Sequence, residues 1–194
     1  MARLSVAVLG APEIRHGARI TGFPTRKTLA LLVYLLVEGG THRRDKLVSL
    51  FWPESDEQAG GATLRSTLAR LRESLSDEDG HAHLLVERDA VGFDVASEFD
   101  LDLEALLRAY EAARKQGRTP RSGEERQALV ACLQRGAATW RGEFLDGFLL
   151  REAPGDLARE LARRGRNRKI LVFCASRALT EKVAGRVRDL GTEV

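Results

Sequence analysis

"GGATLRSTLARLRESLSD", residues 60–77, places Leu64, Leu68, Leu71 and Leu75 at alternating spacings of four and three, with Arg65, Arg70 and Arg72 set among them. At about 100° per residue the four leucines fall within an arc about 60° wide, the narrow apolar stripe of a helix that buries one face. Ser66 and Glu73 lie nearly opposite that stripe. Ala69 and Arg70 flank the outer line, and Arg65 and Arg72 stand on one shoulder. The stretch therefore predicts the longest helix of its region, closed by the acidic loop Asp77, Glu78, Asp79, Gly80. Its outer face combines small residues with long cations. That pattern is commonly an ordinary solvated helix face, and it also suits a helix that approaches a nucleic acid closely and donates to it. The neighbouring sequence decides between them.

Working outward, "RRDKLVSLFWPES" ahead of it reads as a short helix with Leu47, Leu50 and Phe51 inward, stopped by Pro53. Before that, "FPTRKTLALLVYLLVEGG" is a helix opened by Pro24 and Thr25, with Leu29, Leu32, Val33 and Leu36 in period. Gly39 and Gly40 end it. "RLSVAVLG" (3–10) alternates as a half-buried strand, and "APEIRHGARIT" continues as a hairpin with Gly17 in its turn. On the C-terminal side, "HLLVERDAVGFDV" (83–95) reads as two strands around a turn at Arg88 and Asp89. The order is strands, three helices, hairpin. A helix preceded by a shorter one and followed by a two-stranded wing is an arrangement that sets one helix in the major groove and lets the hairpin reach neighbouring backbone.

Composition bounds the rest. A chain of 194 residues with 43% apolar content can hold one ordinary domain and part of a second, and is not of disordered composition. No run of 18 apolar residues spans a membrane, and no leader pattern is seen at the N-terminus; a cytoplasmic location is expected. Cys132 and Cys174 lie outside any CxxC, and the "HAH" pair His81 and His83 lacks ligand partners at metal spacing, so neither metal nor cofactor is expected. The formal charge of +3 is unevenly spread. Residues 1–96 carry 12 Lys/Arg against 13 Asp/Glu, and residues 151–194 carry 11 against 6. Net charge thus gives no reason to make the first 96 residues a DNA binder; only local arrangement does.

The motifs become specific in combination. "GFPTRKTLALLVYLLVEGG", "RRDKLVSLFWPES", "ATLRSTLARLRESL" and "LLVERDAVGFDV", in order, resemble the OmpR-type winged helix-turn-helix in the version found in the Streptomyces antibiotic regulatory protein family. "LFWP" with an acidic residue after it, followed by "LRSTLARLRESL", is the sharpest signature. "LDLEALLRAY" and "WRGEFLDGF" resemble the opening of the bacterial transcriptional activation domain of that family. The fold class expected is therefore α+β: a winged helix-turn-helix with an N-terminal small sheet, three helices and a C-terminal hairpin wing, followed by a partial helical domain. The expected division is 1–96 for the winged helix, 97–150 for the opening activation-domain helices, and 151–194 for an atypical tail.

The resemblance implies roles. The helix matching 62–75 is the recognition helix, with Arg65, Ser66, Ala69, Arg70 and Arg72 facing DNA or its phosphates. The helix matching 44–51 supports it, with Arg44 at the family's usual arginine near the helix start and counted among the DNA-binding residues. Arg88 stands at the tip of the wing, near phosphate. The turn Trp52, Pro53, Glu54, Ser55, Asp56 matches the place where OmpR-type activators touch RNA polymerase, Glu54 and Asp56 being the charged contact groups. Trp52 has two readings, a ring that caps the core or a polymerase contact. Two copies bound head to tail on direct repeats of double-stranded DNA are also implied. This chain departs from the family at Arg43, where a Ser or Thr helix cap is usual, so the cap must come from elsewhere or be lost. It departs again at Val91, Gly92, Phe93, where the wing usually closes on Gly-Tyr.

After Phe148 the family pattern fails. "REAPGDLARELARRGRNRK" packs Arg163, Arg164, Arg166, Arg168 and Lys169 into seven residues, and "KILVFCASRALTEKVAGRVRDLG" reads as one strand and one amphipathic helix. The latter resembles the opening of a helicase-type or other open α/β domain, but one strand makes no sheet and no GxxxxGK[ST] loop occurs. A truncation, a frame change and a partner-dependent segment all remain open for it. No nucleophile, acid–base pair or metal cluster is seen, so an enzyme is not expected. No phosphoacceptor domain stands ahead of residue 3, so control by aspartyl phosphorylation within this chain is not expected. The function expected is sequence-specific double-stranded DNA binding and transcription regulation, by activation through RNA polymerase. The alternative is a protein-interaction module on the same fold.

Overall fold

The computed structural model describes residues 3–76, 83–114, 122–142 and 144–148. The acidic loop after the third helix and the whole basic tail lie outside the described residues.

In chain order the elements are β1 (Leu4–Ala7), β2 (Glu13–His16), β3 (Arg19–Ile20), α1 (Arg26–Glu38), β4 (Thr41–Arg43), α2 (Arg44–Phe51), α3 (Glu57–Leu75), β5 (Leu84–Val86), β6 (Ala90–Phe93), β7 (Phe99–Leu101), α4 (Asp102–Arg114) and α5 (Gly123–Ala138). They form a four-stranded sheet in the order β3-β2-β1-β7 and a three-stranded sheet in the order β4-β6-β5. The expected hairpin turns over Gly17, whose φ of 60° suits a residue with no Cβ.

By contacts the chain separates into two compact units, one containing Ile14–Asp100 and the other Val6–Glu13 with Leu101–Phe148. In the first, α1 is capped by Thr25, whose hydroxyl accepts from the Thr28 N–H at 3.1 Å, and it ends at Gly39. Residues 30–37 are all buried, so this helix lies within the core and not along its edge. α3 packs against both α1 and α2 and buries Leu64, Leu68, Leu71 and Leu75, as the stripe predicts. Leu68 is only 4% exposed, which fixes the register of the helix.

Four details differ from the sequence reading. α3 starts at Glu57, because Asp56 caps it by accepting from the Ala59 N–H at 2.7 Å, and it ends at Leu75, with Ser76 as its C-cap at a left-handed φ of 54°. In α2 the buried apolar residues are Leu47, Val48 and Phe51, while Leu50 is half-buried. Two short strands lie outside the elements that the sequence pattern predicts: β4, which pairs with β6 in the register Thr41–Gly92, His42–Val91 and Arg43–Ala90, and β7, the edge of the larger sheet. Lastly, β1 ends at Ala7, with Leu9 also buried beyond it.

The close approach of α2 and α3 depends on one glycine. Gly60 is buried, and a Cβ built on it would overlap Val48 Cγ1, whereas a Cβ on Gly61 would meet nothing within 4 Å. In the second unit α4 and α5 make a helix pair around Ala109, Leu129 and Leu133. Gly136 permits their contact, since a Cβ there would run into Ala109. Asp102, at the start of α4, accepts from the Val8 and Leu9 N–H groups at 2.9 Å. Burial pushes its pKa up, and the N–H donors of Val8, Leu9 and Leu103 together with Arg141 pull against that.

Two tests follow from this packing. Gly60→Ala should cost about 1–3 kcal/mol by overpacking, while Gly61→Ala should stabilise by about 0.5–1 kcal/mol through helix propensity. Denaturant titration of both variants checks the contrast. For Asp102 the folded carboxyl binds its proton more tightly than the unfolded one. Its contribution to stability is therefore greatest at low pH and falls as pH rises from the ordinary carboxylate value to the raised one. The difference in melting temperature between the wild type and Asp102→Asn, followed across that window, should show this decline.

Candidate nucleic-acid interface

The outer face of α3 is set by what its inner face buries. With the four leucines and Thr67 turned inward, Arg65, Ser66, Ala69, Arg70, Arg72 and Glu73 are all exposed. Thr67 is a polar residue in the interior of the helix, and its hydroxyl donates to the Thr63 carbonyl at 2.8 Å, so it needs no outside partner. Among the described residues the side chains of Arg65, Arg70 and Arg72 make no ion pair or hydrogen bond, leaving their donors free.

The two shoulders of the helix are not equivalent. Arg65 and Arg72 lie on one. On the other, Arg70 lines a cleft of about 490 Å³ with His16, Arg19, Thr21, Glu73, Ser74 and other residues of the β2–β3 hairpin and the C-terminal end of α3. Arg19 was not picked out from the sequence. It stands far from Arg70 in the chain, and only the folding of the hairpin beside α3 brings the two residues to one cleft.

The wing is the β5–β6 hairpin, in the register Leu84–Phe93, Leu85–Gly92 and Val86–Val91. Its turn closes with the Glu87 N–H on the Ala90 carbonyl at 2.9 Å, leaving Arg88 exposed at the tip. Phe93 supplies the buried ring where the usual pattern has tyrosine. It stacks on His83 with centroids 5.8 Å apart and meets Phe99 edge-on at 5.0 Å. Gly92 is needed there because a Cβ would press on the Gly40 carbonyl at 2.7 Å. His83 also shares a hydrogen bond with Ser97 Oγ at 2.9 Å.

The start of α2 lies against this turn. Arg43, where a cap would stand, makes no side-chain cap and pairs with Asp45 instead, at 2.7 Å. That hydrogen bond, with its charge attraction, raises the Arg43 pKa and is the first cause of the lowered Asp45 pKa; the Lys46 N–H lowers Asp45 further. Both side chains are exposed, so this pair is worth little in stability. Arg44 is half-buried, and its guanidinium donates to the Glu87 carbonyl.

In the loop between α2 and α3, Trp52 is buried against Phe51, with ring centroids 5.9 Å apart. The ring caps the core, which is the packing reading. Glu54 is exposed, and Asp56, also exposed, is occupied as the α3 cap. Among the described residues no group of three or more His, Cys, Asp or Glu side chains could hold a metal ion, and no helix is long and apolar enough to cross a membrane.

No protein-family model and no curated protein matches this chain. Among solved structures, EmbR of Mycobacterium tuberculosis, in complex with a low-affinity phosphopeptide, aligns with a TM-score of 0.61 at 18% identity. The alignment covers 100% of this chain and 49% of that one, so the chain spans about half the length of the structure it matches. That likeness, with the element order above, makes the fold an α+β winged helix-turn-helix of the OmpR type followed by a largely helical segment.

Proposed function

We propose that the chain is a sequence-specific, double-stranded DNA-binding regulator of transcription, of the Streptomyces antibiotic regulatory kind. The observation that carries this reading is the division of α3: four leucines buried, and Ser66 and Ala69 exposed on the outer side with Arg65, Arg70 and Arg72 exposed on its two shoulders. A helix so divided offers room for close approach at Ser66 and Ala69, with donors beside it for base edges and phosphates. Arg88 at the wing tip supplies a cation to the neighbouring backbone. In this reading residues 1–96 bind DNA and the helices of 97–150 open an activation domain.

Activation is proposed to run through RNA polymerase at the loop between α2 and α3. Glu54 is the better contact, since Asp56 already serves as a helix cap. Two copies would sit head to tail on direct repeats, the second adding its own contacts to the small surface of one half-site. The second reading, a protein-interaction module, draws on the near balance of 12 cations and 13 anions in residues 1–96.

A duplex recovered by in vitro selection separates them. Affinity of the wild type, Arg70→Ala, Arg72→Ala and Arg88→Ala should be measured over a salt series. Arg70 is expected to read a base, its loss removing about 1–3 kcal/mol of discrimination at one base pair. Loss of Arg72 or Arg88 is expected to weaken all sequences alike and lower the salt slope by about one. A selection that yields no preferred sequence would sink the DNA reading and leave the interaction module.

A further inference from the structure

We propose that Arg44 is a positioning residue of the wing, holding the turn that carries Arg88, and not itself a phosphate contact. Its consequence for DNA rests on the reading above; the contact itself does not. Two donors of the Arg44 guanidinium, Nε and Nη2, converge on one acceptor, the Glu87 carbonyl, at 3.3 and 3.1 Å. The backbone N–H of the same residue donates to the Asp89 carbonyl at 2.9 Å. Arg44 therefore grips the residues on both sides of Arg88. The turn between them is closed by the Glu87 N–H on Ala90 at 2.9 Å, so its tip has little freedom once those carbonyls are held.

The grip also answers the missing helix cap. The first N–H groups of a helix have no partner within it, and Arg43 offers no side-chain acceptor to α2. The wing carbonyl of Asp89 accepts from the first residue of the helix in its place. The Asp89 charge further acts on Arg43, whose pKa it raises in a minor part beside the dominant Asp45. Helix and wing thus complete each other. β4 runs straight into α2 and pairs with β6, which fixes the start of the helix relative to the wing strands. The guanidinium then fixes the turn beyond those strands. A planar fork can place two N–H groups on one carbonyl, which a lysine ammonium on its flexible stem does not reproduce.

The test is a double-mutant cycle between positions 44 and 88 in the full chain, on the selected duplex, with Arg44→Ala and Arg44→Lys each made alone and with Arg88→Ala. A parallel measurement follows amide exchange in the free protein. If Arg44 acts through the wing, Lys fails as Ala does. In the Arg88→Ala background either substitution then changes affinity by less than about twofold, the scatter expected where nothing further is lost. In the free protein the Arg44 and Glu87 amides should exchange faster by about an order of magnitude in both variants. Independent losses at the two positions, wild-type affinity in Arg44→Lys, or unchanged exchange would each overturn the assignment. Should the wild type bind no selected duplex, the DNA reading falls, and the exchange rates alone decide for or against the Arg44 grip.

Discussion

The burial of one narrow stripe of α3 against α1 and α2 is the constraint on which the rest of this winged helix depends. Each of the four leucines gains about 1.5–3 kcal/mol by leaving water, and none can do so unless the helix takes one rotation about its axis. That rotation turns three arginines outward together. The approach that makes burial complete is set at Gly60, which lets α3 sit directly on Val48 of α2. A side chain there would push the helices apart and uncover part of the stripe. The identity of one small residue near the start of α3 is therefore coupled to the direction in which its arginines, one to three turns further on, are presented.

Much of this was legible in the chain. The leucine period, the Thr25 cap, the Gly39 stop and the Arg88-Asp89 turn each carry their information within a few residues, so local physics suffices to read them. β4 was not legible for the converse reason. Thr41, His42 and Arg43 are too few to show an alternation, and their strand character exists only because β6, some fifty residues on, pairs with them. β7 is hidden in the same way. The leucine stripe leaves the start of α3 open, since it carries no information ahead of Leu64, and it is Asp56, ahead of the two glycines, that caps the helix.

Among the candidate side chains the same line divides what sequence can say. A helical wheel states the angle of Arg70 about its own axis, and its exposure follows. It cannot state that the β2–β3 hairpin stands beside that shoulder and brings Arg19 to the same cleft. For Arg44 the chain shows a cation at a helix start, a place where the helix dipole disfavours positive charge. Only the fold shows the compensation, since the guanidinium is turned to the carbonyl oxygen of the wing turn.

The balance of charge in the first 96 residues looks different once the acids are located. Asp56 caps α3, Asp45 is paired with Arg43, and Asp94 accepts from the Ala96 N–H at 2.9 Å. These carboxylates still contribute to the far field, which is why net charge gives no long-range attraction to a polyanion. Their hydrogen-bonding capacity, though, is used within the fold. On the outer face of α3 the only acid is Glu73, and Arg65, Arg70 and Arg72 have no partner among the described residues. With a screening length of about 8–10 Å in physiological salt, a surface at contact distance senses chiefly the groups of that face. Near-neutral composition and a cationic contact surface are therefore compatible, because acids assigned to caps and ion pairs elsewhere are largely screened from a partner lying along α3.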